Sequence, residues 1–147
     1  MRAAIALAFA FTSLYALGSS EGDPKKFLIQ LKGAASQCAL TSSGEATSAF
    51  LIGRKNGTSS KKYKAALDYA YKQAETCVAE GKPMMKPLLK AEIEAHPSMR
   101  DATLEAYAKW IGYMDWLAIP RDWGEESQEK AAYEQAINRL QAEIDIQ

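Results

Sequence analysis

An all-α fold, a compact bundle of five or six helices with one inter-helix disulfide, is what this sequence predicts on three observations. Apolar residues recur at helical spacing in successive segments. No segment shows the two-residue alternation of a strand, and both cysteines, Cys38 and Cys77, fall on apolar helical stripes.

The chain opens MRAAIALAFAFTSLYALGSS: one arginine, an apolar run from Ala3 to Leu17, then small residues. That order is the pattern of a secretory signal peptide, with cleavage expected after Ala16-Leu17-Gly18. Residues 1–18 are therefore read as the signal and 19–147 as a single helical domain. The apolar run is shorter than the roughly 20 residues of a comfortable membrane span, so no stable span is expected after processing. Export, to a periplasm or to the outside where the source lacks one, puts both cysteines in an oxidising compartment. There an even count favours a Cys38–Cys77 disulfide over two buried free thiols.

Asp23-Pro24 is a helix start, with aspartate as N-cap and proline where its missing N–H costs nothing. Phe27, Leu28, Leu31, Ala35 and Cys38 then recur on one face, which predicts a first helix over about 24–41. Thr41-Ser42-Ser43-Gly44 is expected to interrupt it before a short second helix, about 44–54. The run from Arg54 to Ser60 has turn chemistry, with Asn56-Gly57 supplying positive φ and a serine the next cap. Tyr63, Leu67, Ala70, Ala74 and Cys77 mark a third helix, about 60–80, ending at Gly81. A fourth follows to Ala95, with Pro87 as a kink or restart. His96-Pro97 ends that helix, and Ser98 is expected to cap a fifth that runs to about Ala118.

The fifth helix carries Leu104, Tyr107, Ile111 and Met114 on one stripe and Trp110, Tyr113 and Leu117 on a second, with Trp116 further round. So wide an apolar face suits a central helix touching neighbours on two sides, or a face kept for a partner or a second copy. A last helix from about 125 to 145 repeats Tyr133, Ile137, Leu140 and Ile144.

The 18 basic and 18 acidic side chains balance. Their distribution is uneven, with the basic excess before residue 90 and the acidic excess after it. Either the two halves complement each other within one fold, or the asymmetry steers a partner. No net basic excess or binding motif supports nucleic acid. One histidine, His96, and two paired cysteines leave no metal-ligand set, and no cofactor motif is present. Nucleophile turns and phosphate-binding glycine loops are missing too. Glu92 with Glu94, or Asp101 with Glu105, could form a carboxylate pair for glycoside hydrolysis, and Arg54, Arg100 and Arg121 could bind a dicarboxylate if they converged. The basic run Arg54, Lys55, Lys61, Lys62 and Lys64 spans a loop and lacks an adjoining outward apolar face that would suit a membrane, so a solvated face is the expectation.

Recognition remains. In LAIPRDWGEES, Pro120 fixes the exit from the fifth helix and Gly124 turns the chain into the sixth, so Trp123 sits on a short connection between Arg121-Asp122 and Glu125. Either the indole packs back as a loop anchor, or it faces a partner as an interface hot spot. The second candidate contact is the polar, basic stretch Arg54, Lys55, Asn56, Gly57.

The signal peptide, the helices without strands, Cys38 in the first helix and Cys77 in the third together resemble the periplasmic immunity proteins that protect bacteria from type VI secreted cell-wall amidases. The resemblance is one of architecture and carries over no motif residues. It implies a dimeric helical scaffold that inhibits a papain-like peptidoglycan amidase by inserting a loop or helix end into its cleft. The contacts would then come from Arg54 to Ser60 and from Pro120 to Glu126, with no catalytic residue and no cofactor. A small secreted helical enzyme of mutase or muramidase type and a periplasmic structural or helper protein are the alternatives.

Overall fold

The computed structural model describes residues 22–146; the expected signal peptide lies outside the described residues. Four α-helices and one short 3-10 turn make up the fold: α1 (Pro24–Asn56), α2 (Lys61–Ala95), the turn Pro97–Met99, α3 (Arg100–Leu117) and α4 (Gln128–Asp145), with no strand among the described residues. The all-α class and the Cys38–Cys77 bridge are present. The count of five or six helices is not, because two expected breaks do not occur.

The first lies at Thr41-Ser42-Ser43-Gly44, through which α1 runs unbroken. Thr41 and Ser43 donate back to the carbonyls of Gln37 and Ala39 at 3.0 and 2.8 Å, so their hydroxyls are satisfied inside the helix. Ser42 instead donates to Ile119 O at 2.9 Å, tying α1 to the exit from α3. The second is at Gly81, Pro83 and Pro87, where α2 also continues. A Cβ on Gly81 would stand 3.1 Å from Met114 Cε, so the glycine is a close-packing point against α3 rather than a stop. Pro83 and Pro87 are one turn apart on the exposed side. The carbonyls they leave without helical donors, those of Ala79 and Pro83, face solvent and can bond water, which lowers the cost of interior proline.

Caps follow the sequence more closely. Asp23 Oδ1 accepts from the N–H groups of Lys25 and Lys26 at 3.0 and 3.3 Å, and Ser60 Oγ accepts from Tyr63 N–H at 3.1 Å. The last helix starts three positions later than expected because Ser127 is its cap, accepting from Lys130 N–H at 3.0 Å. A 3-10 turn over Pro97–Met99 occupies the place of the expected Ser98 cap, and α3 begins at Arg100.

α1 and α2 form an antiparallel hairpin whose longer helix, of 35 residues, is roughly 50 Å in length. The α3–α4 hairpin covers only one half of it. The main hydrophobic cluster takes Phe27, Leu28, Leu31, Ala35 and Cys38 from α1 and Val78 and Met85 from α2, closed by Met99, Ala106, Trp110, Met114, Ile137 and Leu140. Among the described residues it has no fully buried member between Cys38 and Val78. The other half of the hairpin is therefore a two-helix arm beyond a four-helix body. Its seam is made of small residues, with Ala49, Gly53, Ala70 and Ala74 buried. A Cβ on Gly53 would come within 2.8 Å of the Tyr63 ring, so a side chain there would push the helices apart.

The disulfide sits at the base of the arm, with Cα atoms 5.6 Å apart and a sequence separation of 39. The loop it closes is the arm itself. In the chain-entropy view such a closure stabilises by about 4 kcal/mol. Three buried alanines in the arm contribute about 2–3 kcal/mol at roughly 0.8 kcal/mol per methyl group. The staple therefore outweighs these alanines. The double substitution Cys38→Ala, Cys77→Ala is expected to lower unfolding free energy by about 2–4 kcal/mol in urea titrations. Hydrogen exchange should accelerate first between residues 44 and 76, while α3 and α4 keep their protection.

Candidate functional site

The connection from α3 to α4 is built from its own side chains. The Arg121 guanidinium lies over the Trp116 ring, 4.3 Å from its centroid, and Arg121 Nε donates to Trp116 O at 2.9 Å. Arg121 also meets Glu125 at 3.6 Å. Glu125 Oε2 accepts from Asp122 N–H at 3.2 Å, and Glu125 N–H returns a bond to Asp122 O at 3.1 Å. Gly124 turns the chain at φ 78°, a left-handed conformation that disfavours any other residue. With Ser42 holding Ile119 from α1, the loop is tied at both ends and across its middle.

These bonds occupy Arg121 and Glu125 and leave Trp123 outside. Trp123 is 72% exposed, the most exposed tryptophan of the fold, so it is not the loop anchor. Trp116 performs that role under Arg121. Trp123 borders a shallow groove of about 410 Å³ between the loop and α1, whose walls include Leu40, Ala39, Trp116 and Tyr113. Leu40 is itself exposed. The groove therefore presents an apolar floor beside an indole on a constrained turn, rimmed by Asp122, Glu125 and Lys130.

The basic candidates lie elsewhere. Arg54, Lys55 and Asn56 form the last turn of α1, where Gly57 caps the helix at φ 85° and Asn56 Nδ2 donates to Ile52 O at 3.0 Å. Leu40 and Arg54 are about four turns apart on one unbroken helix, roughly 21 Å. The fold thus brings Arg121, Asp122, Trp123 and Glu125 together at the body and places Arg54, Lys55, Asn56 and Gly57 at the tip of the arm.

The other constellations also separate. Arg54, Arg100 and Arg121 stand at the arm tip, at the start of α3 and beyond its end, so they form no common anion site. Asp101 pairs weakly with Arg100, Glu105 with Arg139 and Glu94 with Lys90. Among the described residues no group of three or more His, Cys, Asp or Glu is placed to hold a metal ion. His96 caps α2, and its Nε2 donates to Gly22 O at 2.6 Å, a structural bond. The second aromatic stripe of α3 is covered by the chain itself, with Trp110, Tyr113 and Leu117 buried, so it is not a surface for a second copy.

Glu92, paired with Glu94 in the sequence reading, is buried whereas Glu94 is exposed, so the two do not open on a common site. Glu92 is 1% exposed, and neither carboxylate oxygen has a protein hydrogen-bond partner. The signal of that burial was present in the sequence: Met85, Leu88, Glu92 and His96 fall on one helical stripe, which places the glutamate inward. Gly81 against Met114 and Lys82 against Asp115 set an antiparallel register that brings Glu92 opposite the turn of α3 bearing Thr103, whose hydroxyl is buried as well. Burial raises the Glu92 pKa and nearby Asp23 adds to the rise, while His96 opposes it.

Comparison with family models, with curated proteins and with solved structures finds no match to this chain.

A raised folded-state pKa means that the unfolded chain releases the Glu92 proton first, so stability falls as pH climbs from about 4.5 through the folded value. Glu92→Gln removes this loss. Thermal melts should show the variant equal to the parent near pH 4 and more stable at pH 7; a difference that does not change with pH would refute the assignment. Separately, Arg121→Ala should release the α3–α4 loop, seen as faster hydrogen exchange over residues 118–127.

Proposed function

We propose that this is an exported binding protein whose recognition surface is the α3–α4 loop and the groove beside it, and that it inhibits an enzyme by covering its active-site cleft. The carrying observation is the exposure of Trp123 on a turn that Arg121, Glu125 and Ser42 hold in place. An indole so presented loses little conformational freedom on binding, and hot spots at interfaces are enriched in such residues. Leu40 and the groove walls supply the adjoining apolar area, and Asp122 and Glu125 form a polar rim.

A cell-wall amidase is the partner class that the resemblance to immunity proteins implies, and a cleft of that kind suits a projecting loop. A standard interface of about 800 Å² per partner has a radius of roughly 16 Å. One centred on Trp123 therefore stops short of the arm tip, and Arg54 to Gly57 act on such a partner through their field during approach rather than by contact.

The test is titration of the purified protein into peptidoglycan digestion by a cell-wall amidase, taken from the neighbouring gene where that gene encodes one. Stoichiometric inhibition is expected, with Trp123→Ala weakening the complex by about 2 kcal/mol or more through faster dissociation. Its melting temperature should stay close to the parent's, because the side chain is outside the core. Full amidase activity at excess protein, with no complex on a sizing column, would overturn the pairing.

A further inference from the structure

The arm tip carries a second surface. From residue 46 to residue 67 the chain has five basic side chains and no acidic one. Among the described residues no ion pair engages Arg54, Lys55, Lys61, Lys62 or Lys64; the ion pairs lie elsewhere, on the body or at the foot of α1. Two large apolar side chains stand beside these cations. Phe50 is 59% and Leu51 56% exposed. The Arg54 guanidinium lies 5.9 Å from the Phe50 ring centroid, and Leu51 and Lys55 are likewise one turn apart. Lys55 and Lys62 flank one shallow depression with Ile52, so these two charges, one from each helix, face the same side.

We infer that the arm tip docks on a bilayer surface bearing anionic phospholipid headgroups, with Phe50 and Leu51 seated at the headgroup boundary. Three features select that occupant over an acidic protein. The tip is the convex end of a two-helix arm, which meets a flat surface without needing a complementary cleft. Four of the five cations are lysines, point charges on flexible stems that suit laterally mobile anions, whereas a fixed carboxylate array favours arginine forks. The charge of the molecule is also polarised. The α3–α4 half carries the acidic excess, so an anionic surface attracts the tip and repels the body, setting one orientation. No helix among the described residues is long and apolar enough to cross a membrane, so the attachment is peripheral.

The experiment is co-sedimentation of the purified protein with vesicles of phosphatidylcholine alone or containing one third phosphatidylglycerol, across a salt series. Binding to the anionic vesicles only, weakening steeply with salt, is expected. Lys61→Glu with Lys62→Glu should lower the partition coefficient by at least roughly 25-fold, at about fivefold per cation lost. Phe50→Ser with Leu51→Ser should lower it about tenfold or more, because these rings and branches carry the apolar part of the attachment. All four residues are exposed, so helix content and melting temperature should match the parent's. Trp123→Ala should bind vesicles as the parent does. Failure to sediment with anionic vesicles, or sedimentation unchanged by the lysine reversals, overturns the proposal. Soluble polyglutamate that binds as tightly as vesicles and is insensitive to the Phe50 and Leu51 changes would assign the tip to an acidic protein instead.

Discussion

The antiparallel seam between α1 and α2, stapled by Cys38–Cys77, is the constraint on which the rest of the structure depends. Everything else is placed relative to it. α3 enters the body by packing Met114 against Gly81, the α3–α4 loop is held to α1 through Ser42, and the tip exists because two helices continue beyond the region that α3 and α4 cover. Below the staple the seam is reinforced by a core of leucine, methionine and aromatic side chains. Above it the buried residues are small, with Ile52, Tyr63 and Leu67 half-buried beside them. Small residues allow close helix approach but bury little area, and on that scale a covalent closure is the larger contribution.

The sequence displayed the core faces of this fold more clearly than its helix boundaries. Phe27 to Cys38, Ala70 to Cys77 and Tyr133 to Ile144 all lie on stripes that the structure buries or half-buries, and the Cys38–Cys77 bridge, expected from an even cysteine count after export, joins two of them. The errors were at the punctuation. Thr41-Ser42-Ser43-Gly44 and Gly81-Lys82-Pro83 have the local chemistry of breaks, yet each sits where tertiary contact supplies a partner or demands a small residue. Local propensity is worth about 1 kcal/mol for a glycine and about 3 kcal/mol for an interior proline. Docking a whole amphipathic face outweighs it.

The candidate site was legible in composition and not in geometry. That Trp123 belonged to a loop could be read from Pro120 and Gly124. Which aromatic anchored that loop could not, because the deciding interaction, Arg121 over Trp116, pairs a loop residue with one from the preceding helix. The Arg54 to Ser60 stretch was read as a turn, whereas Arg54 to Asn56 are helical. The continuation of α1 to Asn56 is what puts Lys55 on the exposed side of the same helix as Phe50, Leu51 and Arg54.

Balanced formal charge conceals a polarised molecule. Ion pairing inside the fold neutralises little of the asymmetry, since one pair, Lys82 with Asp115, links the basic hairpin to the acidic one while most others are local to a helix or its cap. A long hairpin then separates the charges in space, at distances beyond the roughly 8 Å over which physiological salt screens them. Within that screening length each end interacts with its own surroundings almost independently of the other. The basic tip and the Trp123 groove can therefore hold two different surfaces at once, the hairpin fixing the distance between them.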